Sequence, residues 1–278
     1  MSRIGPAFAA LRARGEAALV PYFTAGDPDL ATTRELVRAA VAEGADAIEL
    51  GVPFSDPMAD GPVLQRSAAR ALTAGTTLPH VLELVAGLRR ELHQPLVLFG
   101  YYNPFFRYGV ERIAADAAAA GADGFLCVDL PPEEAGELRA AACAAGLDLI
   151  ALLAPTTPRA RVRTIARTAS GFLYFVSVLG TTGVRSELPR ELPGLVRGAR
   201  AVTDLPIGVG FGVSRPEQAA WIAGFADAVI VGSAVARLLE EDPHAAPARV
   251  AGFLGGLRRA MRDAAARTGQ GAARPGEG

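Results

Sequence analysis

Leu30–Leu50 reads L-A-T-T-R-E-L-V-R-A-A-V-A-E-G-A-D-A-I-E-L, and this stretch decides the fold. From Leu30 to Glu43 the apolar residues recur at three- and four-residue spacing, the period of an amphipathic helix with one face in a core. Gly44-Ala45-Asp46 interrupts that period, and a glycine there fits a helix C-cap. Ala47–Leu50 is then a short, mostly apolar run, as a buried strand would be. The unit is helix, glycine turn, strand. G-A-D returns at Gly121–Asp123, and Gly224-Phe225-Ala226-Asp227 stands in the same place before a third run.

The pattern extends in both directions. Apolar runs at Ala18–Phe23, Ala47–Leu50, Leu96–Phe99, Gly124–Leu130, Leu149–Leu153, Phe172–Ser177, Ile207–Gly210 and Ala228–Val231 predict eight strands. Amphipathic segments such as Leu30–Glu43, Val110–Ala120, Pro132–Ala145, Arg159–Thr168 and Pro189–Val202 alternate with them. The near-continuous apolar character suits parallel strands covered on both faces. Eight such units predict one α/β domain, a closed (β/α)8 TIM barrel, for which roughly 250 residues is usual. An open doubly wound sheet is the alternative, and the absence of G-x-G-x-x-G after the first strand counts against it. Residues 2–14 predict an extra N-terminal helix with Ile4, Phe8 and Leu11 on one face. From Ala264 large apolar residues almost vanish, so 1–263 reads as the barrel domain and 264–278 as a disordered tail.

Composition narrows the chemistry. The 278 residues are 50% hydrophobic and 21% charged, enough apolar sequence for a large core. All 28 basic residues counted as Lys or Arg are arginine. Without lysine there can be no Schiff-base lysine, no internal aldimine to pyridoxal phosphate and no P-loop lysine. A net charge of -1 argues against a nucleic-acid partner. Cys127 and Cys143 cannot make a disulfide framework, and zinc-type C-x2-C spacing is absent. Arg3, Arg12, Arg14 and Glu16 break up the N-terminus, which lacks the apolar core of a signal peptide. The longest uncharged run, Thr168–Val184, is shorter than about 18 residues and contains Ser, Thr and Gly, so no membrane span is expected. A cytoplasmic protein follows.

In barrels of this kind the active site lies at the C-terminal strand ends. Glu49 sits inside an apolar strand, where burial would raise its pKa and suit it to acid–base work; a structural Glu paired with an arginine is the other reading. The loop after it, Gly51–Pro62, carries three prolines and two aspartates and is long for a connector. Asp60 precedes Gly61-Pro62, where the next helix begins, so it is a site residue or an N-cap. Gly180–Gly183, Gly210–Gly212 and Gly232-Ser233 follow strands six, seven and eight. Glycines there let backbone N–H groups reach an anion, and the helix opened by Ser233 adds its dipole. His80, His93 and His244 follow no strand, so neither a histidine base nor a metal site is expected. Trp221 and the cysteines read as packing. Tyr174, Phe125 and Asp129 are left open between site and scaffold.

Together these residues carry a resemblance. E-L-G-V-P-F-S-D-P-M-A-D-G-P (49–62) resembles the signature of the tryptophan synthase alpha subunit family. P-Y-F-T-A-G-D-P (21–28), Y-Y-N-P (101–104), V-D-L-P-P-E-E (128–134), A-P-T-T (154–157), G-T-T-G (180–183), V-G-F-G-V (209–213) and I-V-G-S-A (230–234) follow in the family's order. The resemblance implies a (β/α)8 lyase, without a cofactor of its own, that cleaves indole-3-glycerol phosphate to indole and glyceraldehyde 3-phosphate. It implies a pyridoxal-phosphate beta subunit as partner in an alpha2beta2 assembly for tryptophan biosynthesis. By motif position Glu49 resembles the general acid–base and Asp60 the carboxylate on the indole N–H. Gly183, Gly212, Gly232 and Ser233 match phosphate positions. Tyr22, Tyr102, Leu126, Tyr174 and Phe211 match the indole pocket, and Thr182 a loop threonine that closes over the substrate. Pro53 and Asp56 match the partner-contact loop. Thr181 stands where many members have valine, and Met58 where leucine is usual.

The expected reaction is a retro-aldol cleavage, which needs an electron sink. No lysine iminium is available, but protonation of indole C3 gives an indolenine whose C=N can accept the electrons. A stand-alone lyase releasing free indole is the alternative within the family. A non-catalytic activator of a beta subunit, or a sugar-phosphate isomerase or epimerase, would belong to other classes. Retention of both carboxylates speaks against the former, and the missing lysine, histidine or metal ligands at strand ends against the latter.

Overall fold

A computed structural model describes residues 1–176, 188–210 and 212–271, with side chains to 267. Eight parallel strands close into a barrel in sequence order: β1 (Ala18–Thr24), β2 (Ile48–Gly51), β3 (Leu96–Gly100), β4 (Gly124–Cys127), β5 (Asp148–Leu153), β6 (Leu173–Val176), β7 (Ile207–Gly210) and β8 (Ala228–Val231). Closure is made by β1 on β8, with Ala18 opposite Ala228. Twelve helices are described: α1 (Ile4–Ala13), α2 (Leu30–Ala42), α3 (Pro62–Thr73), α4 (Leu78–Arg89), α5 (Tyr102–Tyr108), α6 (Val110–Ala120), α7 (Gly136–Ala144), α8 (Arg159–Thr168), α9 (Leu192–Arg200), α10 (Pro216–Ala223), α11 (Ser233–Glu241) and α12 (Ala246–Gly271). No single helix among the described residues is long and apolar enough to cross a membrane.

Alternation along each strand sorts the side chains. Outward residues such as Leu19, Leu50, Leu98 and Phe125 join the core between sheet and helices. Inward residues Ala18, Val20, Ala47, Val97, Leu126, Ile150, Phe172, Ala228 and Ile230 fill the barrel axis. The predicted face of α1 plugs the bottom of that axis. Ile4, Phe8 and Leu11 are buried against the inward set, and the rings of Phe8 and Phe172 stack at 5.4 Å. Burial of such side chains stabilises by roughly 1.5–3 kcal/mol each.

The G-A-D turns do more than end helices. Asp46 accepts a hydrogen bond from Leu19 N at 2.8 Å, Asp123 from Leu96 N at 2.9 Å and Asp227 from Ile207 N at 2.9 Å, so each ties its own strand to a neighbour. Each is also met by arginine: Arg258 at 3.3 Å, Arg89 at 2.8 Å and Arg200 at 2.8 Å respectively. Arg3, just before α1, and Arg12 within it reach Asp123 and Asp227 at 2.9 and 3.5 Å, pinning the plug. Gly44 and Gly121 adopt φ of +91° and +93°, which favours glycine. Gly224 does not: its φ is −70°, so the third turn is not a left-handed cap.

Three boundaries differ from the expectation. β4 stops at Cys127 because Asp129 and the Pro131-Pro132 turn leave the sheet, and the same prolines delay α7 to Gly136. The expected tail boundary at 264 falls inside α12, which continues to Gly271; alanine and arginine there are good helix formers. Residues 272–278 lie outside the described residues.

Candidate active site

The mouth of the barrel holds a cavity lined by Tyr22, Glu49, Asp60, Phe99, Tyr174, Gly212, Gly232 and Ser233 among others. Its floor is set by strand register. Glu49 on β2 pairs with Tyr22 on β1 and with Val97 on β3, so its side chain shares the inward parity of Val97. Glu49 is 0% exposed, and neither carboxylate oxygen has a hydrogen-bond partner among the described residues. The arginine partner that a structural role would need is absent from its described surroundings. Burial alone pushes the Glu49 carboxyl up to about 8, so it carries a proton at neutral pH.

Asp60 is not a helix cap. The N-cap of α3 is Gly61, and no side chain caps that helix. Instead Asp60 Oδ2 accepts from the Tyr101 hydroxyl at 3.1 Å, while that same oxygen of Tyr101 accepts from Ala59 N at 3.0 Å. Burial raises Asp60 to about 6 and the Tyr101 bond opposes the rise, so Asp60 is mostly ionised near neutrality. The cavity thus pairs a protonated carboxyl with a charged one.

Tyr22 and Tyr174 furnish the walls. Burial raises both phenols, and the Asp60 and Glu49 carboxylates push them further, so both keep their protons. The Tyr22 hydroxyl lies 3.3 Å from Thr24 Oγ1, and its ring meets Phe99 edge-on at 5.0 Å. Two glycines make room. A Cβ on Gly51 would stand 2.1 Å from the Tyr22 hydroxyl oxygen, and one on Gly210 would stand 2.3 Å from that of Tyr174. Gly212, with φ of +66°, and Gly232-Ser233 at the N-terminus of α11 also line the cavity.

Several predicted site residues sit elsewhere. Tyr102 is outside the cavity: its N–H donates to Asp129 Oδ1 at 2.7 Å and its hydroxyl to Glu137 at 3.2 Å. The adjacent Tyr101, not Tyr102, is the tyrosine that bonds Asp60. Leu126 is fully buried one layer below, in the axial cluster, and Val128 lines the cavity instead. Pro53 is buried in the loop after β2, whereas Asp56 is exposed and accepts from Ser55 Oγ at 2.5 Å. Beside it Met58 is 85% exposed, and on α5 Phe106 is 59% exposed. Thr182, Gly183 and Phe211 lie outside the described residues. Leu64, Leu152 and Ile230 also line the cavity and were not anticipated; strand parity reaches Leu152 and Ile230.

A family model described as the tryptophan synthase alpha chain matches residues 8–264. The chain belongs to the tryptophan synthase alpha chain family. It is 56% identical over 241 residues to the tryptophan synthase alpha chain of Citrifermentans bemidjiense, covering 87% of this chain and 90% of that one. Among solved structures, the alpha subunit of Legionella pneumophila superposes with a TM-score of 0.88 at 40% identity, covering 95% and 99% of the two chains. A chain of the tryptophan synthase complex of Pyrococcus furiosus superposes with a TM-score of 0.82 at 39% identity, over 87% and 98%. The family's alpha chain is a lyase acting on indole-3-glycerol phosphate.

Proposed function

We propose that this chain is a cytoplasmic indole-3-glycerol-phosphate lyase in which Glu49 is the general acid–base and Asp60 the electrostatic partner of the indole nitrogen. The observation that carries the reading is the fully buried, unpartnered carboxyl of Glu49 facing the cavity. Protonated Glu49 delivers its proton to indole C3, giving an indolenine whose cationic N–H lies against ionised Asp60. The Glu49 carboxylate then takes the proton of the hydroxyl on the carbon next to the ring. The C–C bond to C3 breaks, its electrons flow into the C=N bond and restore indole, and the departing carbon becomes the aldehyde of glyceraldehyde 3-phosphate. Glu49 ends protonated, as it began. Positioned proton transfer of this kind contributes about 10²–10⁴-fold.

The phosphate rests on backbone N–H groups of Gly212, Gly232 and Ser233, where the α11 dipole favours an anion without any lysine. Neutral Tyr22 and Tyr174 add no charge to compete with either carboxylate. The partner is the beta subunit of tryptophan synthase. The loop bearing Pro53, Asp56 and exposed Met58, with exposed Phe106 on α5, offers the apolar contact surface for it. Indole release from indole-3-glycerol phosphate tests the reading: Glu49→Gln loses cleavage and keeps phosphate binding. Undiminished release by that variant refutes the assignment. Rates with and without the beta chain separate the complex-bound enzyme from a stand-alone lyase.

A further inference from the structure

One ionic cluster, anchored on a buried aspartate, lies outside the reacting groups and joins the turn after β1 to α3 and α11. Asp27, in the turn after β1, is 1% exposed. Its carboxylate accepts a hydrogen bond from Ser67 Oγ and two from Arg70, from Nε and Nη2 at 2.7 Å each, the bidentate fork that arginine makes best. Arg70 also reaches Glu240 Oε1 at 3.3 Å, and Arg66, one turn earlier on α3, holds the same carboxylate at 2.5 and 2.8 Å. Glu240 closes α11.

The topology gives this cluster its meaning. α3 begins at Pro62, two residues after Asp60, and Gln65 of its first turn donates to the Asp60 carbonyl at 3.0 Å. α11 begins at Ser233, which also lines the cavity. The turn carrying Asp27 follows the strand that holds Tyr22. A substrate that carries an indole at one end and a phosphate at the other must span from Asp60 to the α11 N-terminus. No covalent link shorter than the chain itself sets that span. The arginine pair does so directly, by locking α3 to α11 and both to the turn after β1.

We propose that Asp27, Arg70, Arg66 and Glu240 form a positioning relay that fixes the distance between the indole arm and the phosphate arm of the site. The inference rests on the proposed roles of Asp60 and Ser233. A fixed span makes the second arm's binding intramolecular, with an effective concentration lost when the span drifts. A relay of this kind therefore acts on ligands that bridge both arms and spares ligands that occupy one.

The test compares three probes by calorimetry on the full chain: indole alone, inorganic phosphate alone, and an indole joined to phosphate by a propyl chain. Arg70→Gln and the milder Glu240→Gln are expected to weaken the joined ligand about tenfold, with each fragment held within twofold of wild type. Equal weakening of fragments and joined ligand would show general damage to the site and overturn the proposal. So would an unchanged joined ligand in both folded variants. If wild type fails to bind the joined ligand more tightly than either fragment, the two-arm reading of the site fails instead. Glu49→Gln, measured in parallel for turnover, tests the catalytic assignment separately.

Discussion

Glu49→Gln should make the protein inactive and more stable at once, and the second effect can be calculated. In the unfolded chain the carboxyl titrates near its ordinary 4.5, whereas in the folded chain burial holds it at about 8. Between those values the folded state binds a proton that the unfolded state has released. Stability therefore falls with rising pH across that window, at about 1.4 kcal/mol per pH unit. Below 4.5 the penalty is absent, at pH 7 it is about 3 kcal/mol, and above 8 it levels off near 5 kcal/mol. Glutamine has nearly the same shape and no such proton to lose. All other titrating groups cancel when the two proteins are compared at one pH. Urea denaturation from pH 4.5 to 8.5 should give nearly equal stabilities at the acid end and a growing advantage for the variant toward the alkaline end. A difference that stays flat with pH, or a variant less stable than wild type at pH 8, would refute the claim that an unpaired, desolvated carboxyl occupies this position.

Three further outcomes follow from the same geometry. The pH profile of kcat/KM should be bell-shaped, rising as Asp60 ionises near 6 and falling as Glu49 loses its proton near 8; steady-state rates from pH 5 to 9.5 check it, and a profile still rising at pH 9 excludes Glu49 as the acid. Tyr101→Phe removes the donor that lowers the Asp60 pKa, so the acid limb should move to higher pH and kcat/KM should drop on the order of tenfold; Tyr102→Phe, outside the cavity, should do neither. Asp123→Ala strips the buried acceptor of Arg3, Arg89 and Leu96 N and should cost about 3–5 kcal/mol in a urea melt, with the phosphate arm's affinity unchanged in the protein that remains folded.

The features legible in the sequence are those with a local cause. Strand and helix periods stand in the chain itself, so eight βα units and the plugging face Ile4-Phe8-Leu11 could be read directly. Glu49 was conspicuous because a carboxylate in an apolar run has few places to go. Tyr101 was obscured by its twin: the motif offered two tyrosines, and only the inward parity of Val97 and Phe99, carried two residues on, selects the first. Leu126 shows a different limit. Its parity is right, but depth along the barrel axis depends on strand stagger, which no single strand encodes. The pairing of Asp27 with Arg70 spans 43 positions and leaves no local trace, and Asp46, Asp123 and Asp227 looked like turn residues because their backbone acceptor role is completed by a neighbouring strand.

The placement of the arginines ties these observations to the chemistry. At the bottom of the barrel each aspartate of the three turns has a guanidinium within 3.5 Å, which pins the closed sheet. At the mouth no guanidinium among the described residues pairs with Glu49 or Asp60. A cation beside Glu49 would favour the carboxylate and pull its pKa down, leaving no proton for indole C3 at neutral pH. A cation beside Asp60 would satisfy the charge that the proposed mechanism sets against the indole nitrogen. In the proposed mechanism, with no lysine available as an electron sink, the reaction runs through the substrate's own ring, and that ring takes its proton from an acid kept neutral through burial. The unsatisfied carboxyl at the mouth, a defect by packing rules, is thus the feature that the proposed mechanism requires, and the paired aspartates beneath it hold the barrel around it.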